Sequence, residues 1–203
     1  MNDLDKALGD ISSIRRQMAR STQFRGFGPV TLAATGLFAI AGATLQMLLL
    51  PSPAQQIPAY LATWVSIAIV SAATIGSHML TRSRRVHSAL ADEMIRMAVE
   101  QFLPSAIAGS LLPLVLLRFA PSVLWMIPGL WQVTFSLGVF ASCRFLPRPM
   151  FLAGLWYLFT GLCCIAIGDA RAFSPWAMGV AYGIGQFLVA GILFFQREDG
   201  SEI

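Results

Sequence analysis

Six long apolar runs dominate the sequence and constrain its fold more than any other feature. About 20 consecutive apolar residues form a helix that can cross the roughly 30 Å hydrocarbon core of a bilayer. The runs reach or nearly reach that length, and the third is the shortest; they cover residues 28–50, 59–80, 102–117, 122–142, 150–168 and 175–195. Prolines stand in most connecting segments, where they break helical continuity. The sequence therefore predicts an all-α integral membrane protein with six transmembrane helices.

The composition also favours a membrane protein over a soluble one. Hydrophobic residues make up 56% of the 203 residues and charged residues only 12%, whereas soluble domains are about one-quarter charged. The formal net charge is +4, which could suggest nucleic-acid binding. However, the basic residues stand at the ends of the apolar runs and form no patch interleaved with aromatic side chains. We therefore expect them to orient the chain in the bilayer, without direct contact with nucleic acid.

Lys and Arg are distributed unequally between the two ends of the predicted helices. All but two of the 14 Lys and Arg residues precede the first run, follow the sixth, or lie in the connections after the second and fourth runs. The exceptions are Arg118 and Arg171. Because positively charged segments stay in the cytoplasm, both termini are predicted to be cytoplasmic (N-in/C-in). The aromatic residues that we expect at the outer membrane interface are Tyr60, Trp64, Trp125 and Trp176.

Two cytoplasmic segments have the pattern of amphipathic helices. The N-terminal segment, residues 1–26, repeats apolar residues at spacings of three and four and places acidic residues before its arginines, which suits the helix dipole. A second amphipathic helix is predicted in the loop over residues 83–100, where Arg96 can pair with Asp92 and Glu100 at spacings of four. Residues 27–195 then form the membrane domain, and residues 196–203 form a cytoplasmic tail.

The apolar sides of these two helices need a partner, because about five apolar side chains do not hold a short helix together in water. That partner is the bilayer interface, the other helix, or a docked protein. Methionines of the loop helix offer an adaptable apolar surface, and the arginines would steer the encounter. The candidate docking residues are Leu8, Ile11, Ile14, Arg15, Arg16, Arg84, Arg85, Leu90, Met94 and Met97.

Inside the predicted spans, the strongest polar groups are amides. No Asp, Glu, Lys or Arg lies in the middle of an apolar run, which argues against ion-coupled transport. Pro113 and Pro128 interrupt the third and fourth helices, so the carbonyl oxygens of Gly109 and Leu124 need other donors. These features favour either a pocket for a small neutral or lipophilic ligand, or amides that bond between helices. The candidate pocket residues are Trp131, Gln132, Ser136 and Gln186.

Glycine spacing predicts close helix packing in the last two spans. Gly154, Gly161 and Gly168 repeat every seven residues in the fifth span, and Gly179 and Gly183 form a GxxxG motif in the sixth. Such small faces let helices approach each other within one chain or between two copies. A homo-oligomer through these two helices is therefore one of two expected arrangements.

The reactive residue types form no catalytic or metal-binding pattern. The three cysteines have no ligand spacing. His78 and His87 would stand about 180° apart on a continuous helix. Ser77 and His78 are neighbours whose side chains diverge by about 100°, so they cannot act as a nucleophile and its base. We expect a non-enzymatic protein that binds neither a metal nor a cofactor.

Three segments at the predicted cytoplasmic ends carry a resemblance to a known family. They read IRRQMARSTQFRGFGP before the first run, LTRSRRVHSALADEM after the second and FASCRFLPRPMF after the fourth. Together they resemble a family of bacterial inner-membrane proteins with six predicted helices and no assigned activity. The resemblance spans most of the chain and implies the inner membrane as its location. It also implies a cytoplasmic partner, a small winged-helix regulator, and it assigns no functional residue.

The sequence thus predicts a non-enzymatic inner-membrane protein that docks a soluble or membrane partner through its cytoplasmic helices, as a regulator or sensor. One alternative is a transport or channel subunit for a small neutral or lipophilic solute. A second alternative is a structural subunit of a larger membrane complex.

Overall fold

The structure is a computed structural model that describes residues 28–83 and 89–198, with side chains for residues 28–79 and 96–195. All regular elements in these ranges are helical. The α-helices are α1 Pro29–Leu49, α2 Ile57–Ser83, α3 Ala89–Phe119, α4 Ile127–Ser142, α5 Met150–Ala166 and α6 Pro175–Glu198. Short 3₁₀ segments cover Pro53–Gln55, Pro121–Met126 and Ala170–Phe173.

Most of these helices are long and apolar enough to cross a membrane. Within the described ranges, five stretches meet that requirement: Pro29–Leu49, Ile57–Met79, Arg96–Phe119, Pro121–Ser142 and Pro175–Phe195. The remaining apolar helix, α5, has 17 residues, which corresponds to a length of about 26 Å. The chain is therefore an α-helical, multi-pass membrane protein, as the sequence predicts.

The largest difference from the predicted bounds concerns the third helix. The prediction separates a loop helix, residues 83–100, from a short span, residues 102–117. In the structure, α3 is one helix of 31 residues that contains Pro104 and Pro113. No glycine or proline lies between Arg96 and Pro104 to end it, and membrane helices tolerate proline where neighbouring groups supply the lost hydrogen bond. The described part of the predicted loop helix, residues 89–100, is thus continuous with the third helix.

The helices pack in an order that leaves α2 and α3 at the two ends of an arc. The most extensive contacts join α1 to α6 and α4 to α5. Contacts between α5 and α6 hold these two pairs together, while α2 packs on α1 and α3 packs on α4. Only 11% of the residues in the spans of α2 and α3 are buried, compared with 33–39% for α1, α4 and α6. The two flanking helices therefore turn most of their surface away from the bundle.

Glycines allow the two central pairs to pack closely. A Cβ atom at Gly161 of α5 would lie 2.9 Å from the carbonyl oxygen of Gly129 in α4, and one at Gly183 of α6 would lie 3.0 Å from the Ile40 side chain of α1. These glycine faces are thus covered by helices of the same chain. Gly168 does not belong to this packing, because it lies beyond α5 with a φ of +76° and ends the helix in the left-handed conformation that glycine adopts easily.

The larger core cluster takes in residues that were expected at the membrane interface. Tyr60 is fully buried and Trp64 is 4% exposed. The Tyr60 ring packs edge-on against Phe173, with ring centroids 4.9 Å apart. Tyr60 and Trp64 are therefore buried in the protein rather than exposed to lipid, and Phe173 covers the Tyr60 ring. Trp176 is 46% exposed and keeps a surface position.

Candidate functional site

Most of the predicted docking residues lie outside the described part of the chain. The segment of the predicted N-terminal helix is not described, and neither are Arg84, Arg85 and the side chains of Leu90 and Met94. The N-terminal candidates concerned are Leu8, Ile11, Ile14, Arg15 and Arg16. Met97 is the docking candidate whose side chain is described, and it is 36% exposed.

The helix that carries Met97 is attached to the bundle at the next residue. The hydroxyl of Ser142, on α4, donates a hydrogen bond of 2.8 Å to the carbonyl oxygen of Ala98. The predicted pairing of Arg96 with Glu100 is also present, with 2.8 Å between Nε and Oε1 and both side chains largely exposed. This part of α3 therefore combines a buried attachment with an exposed, charged outer side.

The structure supplies the donor that Pro113 makes necessary. Pro113 has no N–H to bond to the carbonyl oxygen of Gly109, and the indole Nε1–H of Trp131 donates to that oxygen at 2.8 Å. Trp131 therefore joins α4 to α3 and is not free to point its N–H into a ligand pocket.

Pro128 is accommodated in a different way. It lies in the first turn of α4, directly after the 3₁₀ segment Pro121–Met126, where a proline costs no helical hydrogen bond. The carbonyl oxygen of Leu124 accepts a hydrogen bond from the backbone N–H of Ile127. The predicted interruption within the fourth helix is therefore the start of that helix.

Gln132 is fully buried and joins α4 to α6. Its Nε2 donates to the carbonyl oxygen of Ala177 at 3.0 Å and lies 3.8 Å from the sulfur of Met178. Its Oε1 has no hydrogen-bond partner among the described residues. The amide thus bonds between helices, as one of the two interpretations expects, and keeps one acceptor unused.

The other two candidate pocket residues differ in their distance from Gln132, because Ser136 is one turn further along α4 and Gln186 is on α6. The Ser136 hydroxyl donates to the carbonyl oxygen of Val133 in its own helix, at 2.7 Å. Gln186 lies beside the Tyr157 hydroxyl, eight residues beyond Met178 and hence about 12 Å further along α6. The structure therefore does not bring the four predicted pocket residues to one point.

A buried hydrogen-bond network that the sequence analysis missed centres on Gln46. Its Nε2 donates to the carbonyl oxygen of Phe173 at 2.8 Å, and its Oε1 accepts from Nε1 of Trp64 at 2.7 Å. This one amide connects the end of α1 with α2 and with the segment Ala170–Phe173. An amide deep in an apolar run is the signal for such a network, but its partners are distant in sequence.

Asp169 and Arg171 form an ion pair in the exposed turn after α5. The Arg171 Nε lies 2.9 Å from Oδ2 of Asp169, and the Arg171 backbone N–H donates to Oδ1 at 2.8 Å. The hydrogen bond from the Arg171 side chain, followed by the one from its backbone, lowers the pKa of Asp169. This pair shapes the turn and leaves no unpaired charge there.

Among the residues with described side chains, no group of three His, Cys, Asp or Glu residues could hold a metal ion. The cysteines, Cys143, Cys163 and Cys164, are free thiols.

Comparisons of the chain with protein-family models, with curated proteins and with solved structures find no match. The function is therefore inferred from the geometry of the chain itself.

Proposed function

We propose that this chain is a non-enzymatic, six-span membrane protein with cytoplasmic termini, which docks a cytoplasmic partner through its N-terminal helix and the start of α3. The observation that carries the proposal is the continuity of α3. The first nine residues of α3, 89–97, form an N-terminal extension of the apolar part of this helix.

The residue pattern of this extension supports a docking role. Leu90, Met94 and Met97 recur at spacings of four and three, which places them on one side of a helix. Methionine side chains adapt to irregular apolar partners, and an apolar helix face of this size fits the groove of another protein. The bilayer interface is the competing partner, and the experiment below distinguishes the two.

The attachment of α3 to α4 supports a regulatory or sensing role. Ser142 holds the helix at Ala98, and Trp131 holds it at Gly109. A partner bound to the extension would therefore act on a helix that is attached to the bundle at two depths. Such a connection is what a protein needs in order to relate its cytoplasmic contacts to the state of its membrane domain.

Site-specific photo-crosslinking in bacterial cells tests the docking role. A photoreactive residue is placed at Leu90 or Met94, and the matched control is placed at Val115, which is 53% exposed on the same helix. We expect a protein adduct of one defined mass from positions 90 and 94, and only lipid adducts from position 115. The winged-helix regulator implied by the resemblance is the first candidate for that mass. Lipid adducts at all three positions would contradict the proposal.

The orientation and the number of spans are tested separately. We infer that α5 is the sixth span because its length of about 26 Å is close to the hydrocarbon thickness and terminal residues can reach the interface. Single cysteines at Arg148 and Asp169, on either side of α5, are treated with a membrane-impermeant maleimide in a variant without native cysteines. Labelling of position 169 alone in intact cells is expected; labelling of both positions would contradict the six-span arrangement.

A second candidate function is the movement of a small neutral or lipophilic solute. The unused acceptor of Gln132, buried in the bundle, favours it. Solute flux into proteoliposomes that is lost in Gln132→Leu but kept in Gln101→Leu, an exposed position, would support this function.

A further inference from the structure

The turn between α4 and α5 carries two arginines that lack an acidic partner. Arg144 and Arg148 are both exposed. The ion pairs found among the described side chains lie at residues 96–100 and 169–171 and include neither of them. The stretch 101–168 contains no Asp or Glu. Two positive charges therefore stand in this turn without a counter-charge from the described part of the chain.

This turn lies at the level of the lipid headgroups. The membrane-spanning stretch Pro121–Ser142 ends two residues before Arg144, and α5 begins at Met150, two residues after Arg148. The turn is therefore close to the end of the hydrocarbon core, where phospholipids carry their phosphates. Arginine suits this group because its planar guanidinium can donate two parallel hydrogen bonds to a phosphate.

Two aromatic rings in contact connect the two sides of the turn. Phe140 stands four residues before Arg144, and Phe151 stands three residues after Arg148. The Phe151 backbone N–H donates to the Arg148 carbonyl oxygen at 3.3 Å, so Arg148 precedes Phe151 by about one helical turn. The rings of Phe140 and Phe151 have centroids 5.1 Å apart. The two arginines thus belong to segments that meet at this ring contact.

An apolar stripe continues from the Arg148 side of the turn along α5. Phe151, Leu155 and Phe159 recur at spacings of four, so they lie on one side of the helix, and all three are exposed. The stripe is about 12 Å long, and its side chains are as apolar as lipid tails. A charged end followed by an apolar side is also the order of groups in a phospholipid lying along the helix.

We propose that the turn between α4 and α5 binds an anionic phospholipid, with its phosphate at Arg144 and Arg148 and its acyl chains along Phe151, Leu155 and Phe159. An anionic lipid is favoured over a zwitterionic one because two cations without a counter-charge attract net negative charge. The proposal does not depend on the docking function. A free phosphate ion and an acidic protein segment carry similar charge, and the experiment separates them from the lipid.

Thermal unfolding in a neutral detergent tests the site. Phosphatidylglycerol is added to the purified full chain, and phosphatidylcholine with the same acyl chains is the comparison. We expect a saturable rise in Tm with phosphatidylglycerol, because a ligand that binds the folded state stabilises it, and a smaller rise with phosphatidylcholine. Equal rises with the two lipids would overturn the proposal. The absence of any rise would also overturn it and is the result expected if the arginines serve an acidic protein segment.

Single substitutions locate the effect. Arg144→Gln and Arg148→Gln should each raise the half-saturating concentration of phosphatidylglycerol about fivefold, which is the contribution of one basic residue near an anionic membrane surface. Arg118→Gln is the control, because it removes the same charge from an exposed position at the end of α3, and it should leave that concentration unchanged. An equal increase in all three variants would show a general attraction between charge and lipid, and the site would be refuted.

Inorganic phosphate distinguishes the lipid from a free anion. Sodium phosphate is added over the same concentration range as the lipid, at an ionic strength held constant with sodium chloride. We expect no rise in Tm, because the apolar stripe of α5 contributes only when acyl chains are present. A rise that equals the one with phosphatidylglycerol and is reduced in Arg148→Gln would assign the turn to a free anion and overturn the lipid proposal.

Discussion

The indole N–H of Trp131 donates to the carbonyl oxygen of Gly109, the oxygen that Pro113 leaves without its helical donor. Trp131 lies on α4 and Gly109 on α3, so one hydrogen bond both completes the interrupted helix and attaches it to the bundle. The main contacts of α3 are with α4 and the segment Pro121–Met126. This hydrogen bond therefore helps to fix α3 against the bundle.

Removal of this donor should destabilise the protein. Trp131→Phe leaves the Gly109 carbonyl unpaired, at a cost of about 1–3 kcal/mol, measured as a lower free energy of unfolding in detergent. Pro113→Ala restores a backbone N–H that can bond to the same oxygen. We therefore expect Trp131→Phe to cost less in the Pro113→Ala background, and equal costs in the two backgrounds would contradict the assigned role.

The Gln46 network should be equally sensitive. Gln46→Leu leaves both the Trp64 indole N–H and the Phe173 carbonyl oxygen without a partner, at about 1–3 kcal/mol for each. Trp64→Phe removes only the hydrogen bond to Gln46 Oε1. Its hydrogen-bond cost should therefore be smaller, although the smaller ring adds a packing cost. Gln101→Leu, at an exposed position of α3, is the control and should be nearly neutral. A neutral Gln46→Leu would show that the network contributes nothing to stability.

The packing of α4 on α5 predicts opposite effects for two glycine substitutions. In Gly161→Ala the added methyl would press on the Gly129 carbonyl oxygen, so the helices must separate, at a cost of about 1–3 kcal/mol. Gly76→Ala meets no atom within 4 Å and should be neutral or stabilise α2 by up to about 1 kcal/mol. Unfolding in detergent measures both, and an equal effect at the two positions would contradict the described packing.

The exposed turn after α5 should respond to acid. The Arg171 side chain and backbone N–H lower the pKa of Asp169 below its usual value of 3.8. A group whose pKa is lowered by folding stabilises the protein above its unfolded pKa and loses that contribution as the pH falls through the folded pKa. The Tm difference between the native chain and Asp169→Asn should therefore be small, constant between about pH 5 and 7, and reduced below about pH 4. A difference that grows toward acid would contradict the pairing.

Local sequence signals located the helices well. The structure begins α5 at Met150 and α6 at Pro175, which are the predicted first residues of those spans. The need for a second donor at Gly109 also followed from sequence, because a proline at position 113 removes one N–H whatever the tertiary structure. The first inference rests on apolar length and the positions of prolines, and the second on the hydrogen bond between helical residues four apart.

Partner choice was beyond the reach of the sequence. Nothing in the chain distinguishes Trp131 as the donor to Gly109, or Trp64 as the donor to Gln46. Tyr60 and Trp64 are of the residue types that form an interfacial aromatic belt, yet the structure buries both. Likewise, the spacing of Gly168 matches Gly154 and Gly161, but only the structure shows that it ends a helix.

The sequence by itself determined that the chain is helical and membrane-spanning, because these properties follow from the length of its apolar runs. Only the tertiary structure decided which face of each helix is buried and which polar atoms meet. The reason is that lipid and neighbouring helices are both apolar, so a membrane helix lacks the contrast between faces that reveals the buried side of a soluble helix.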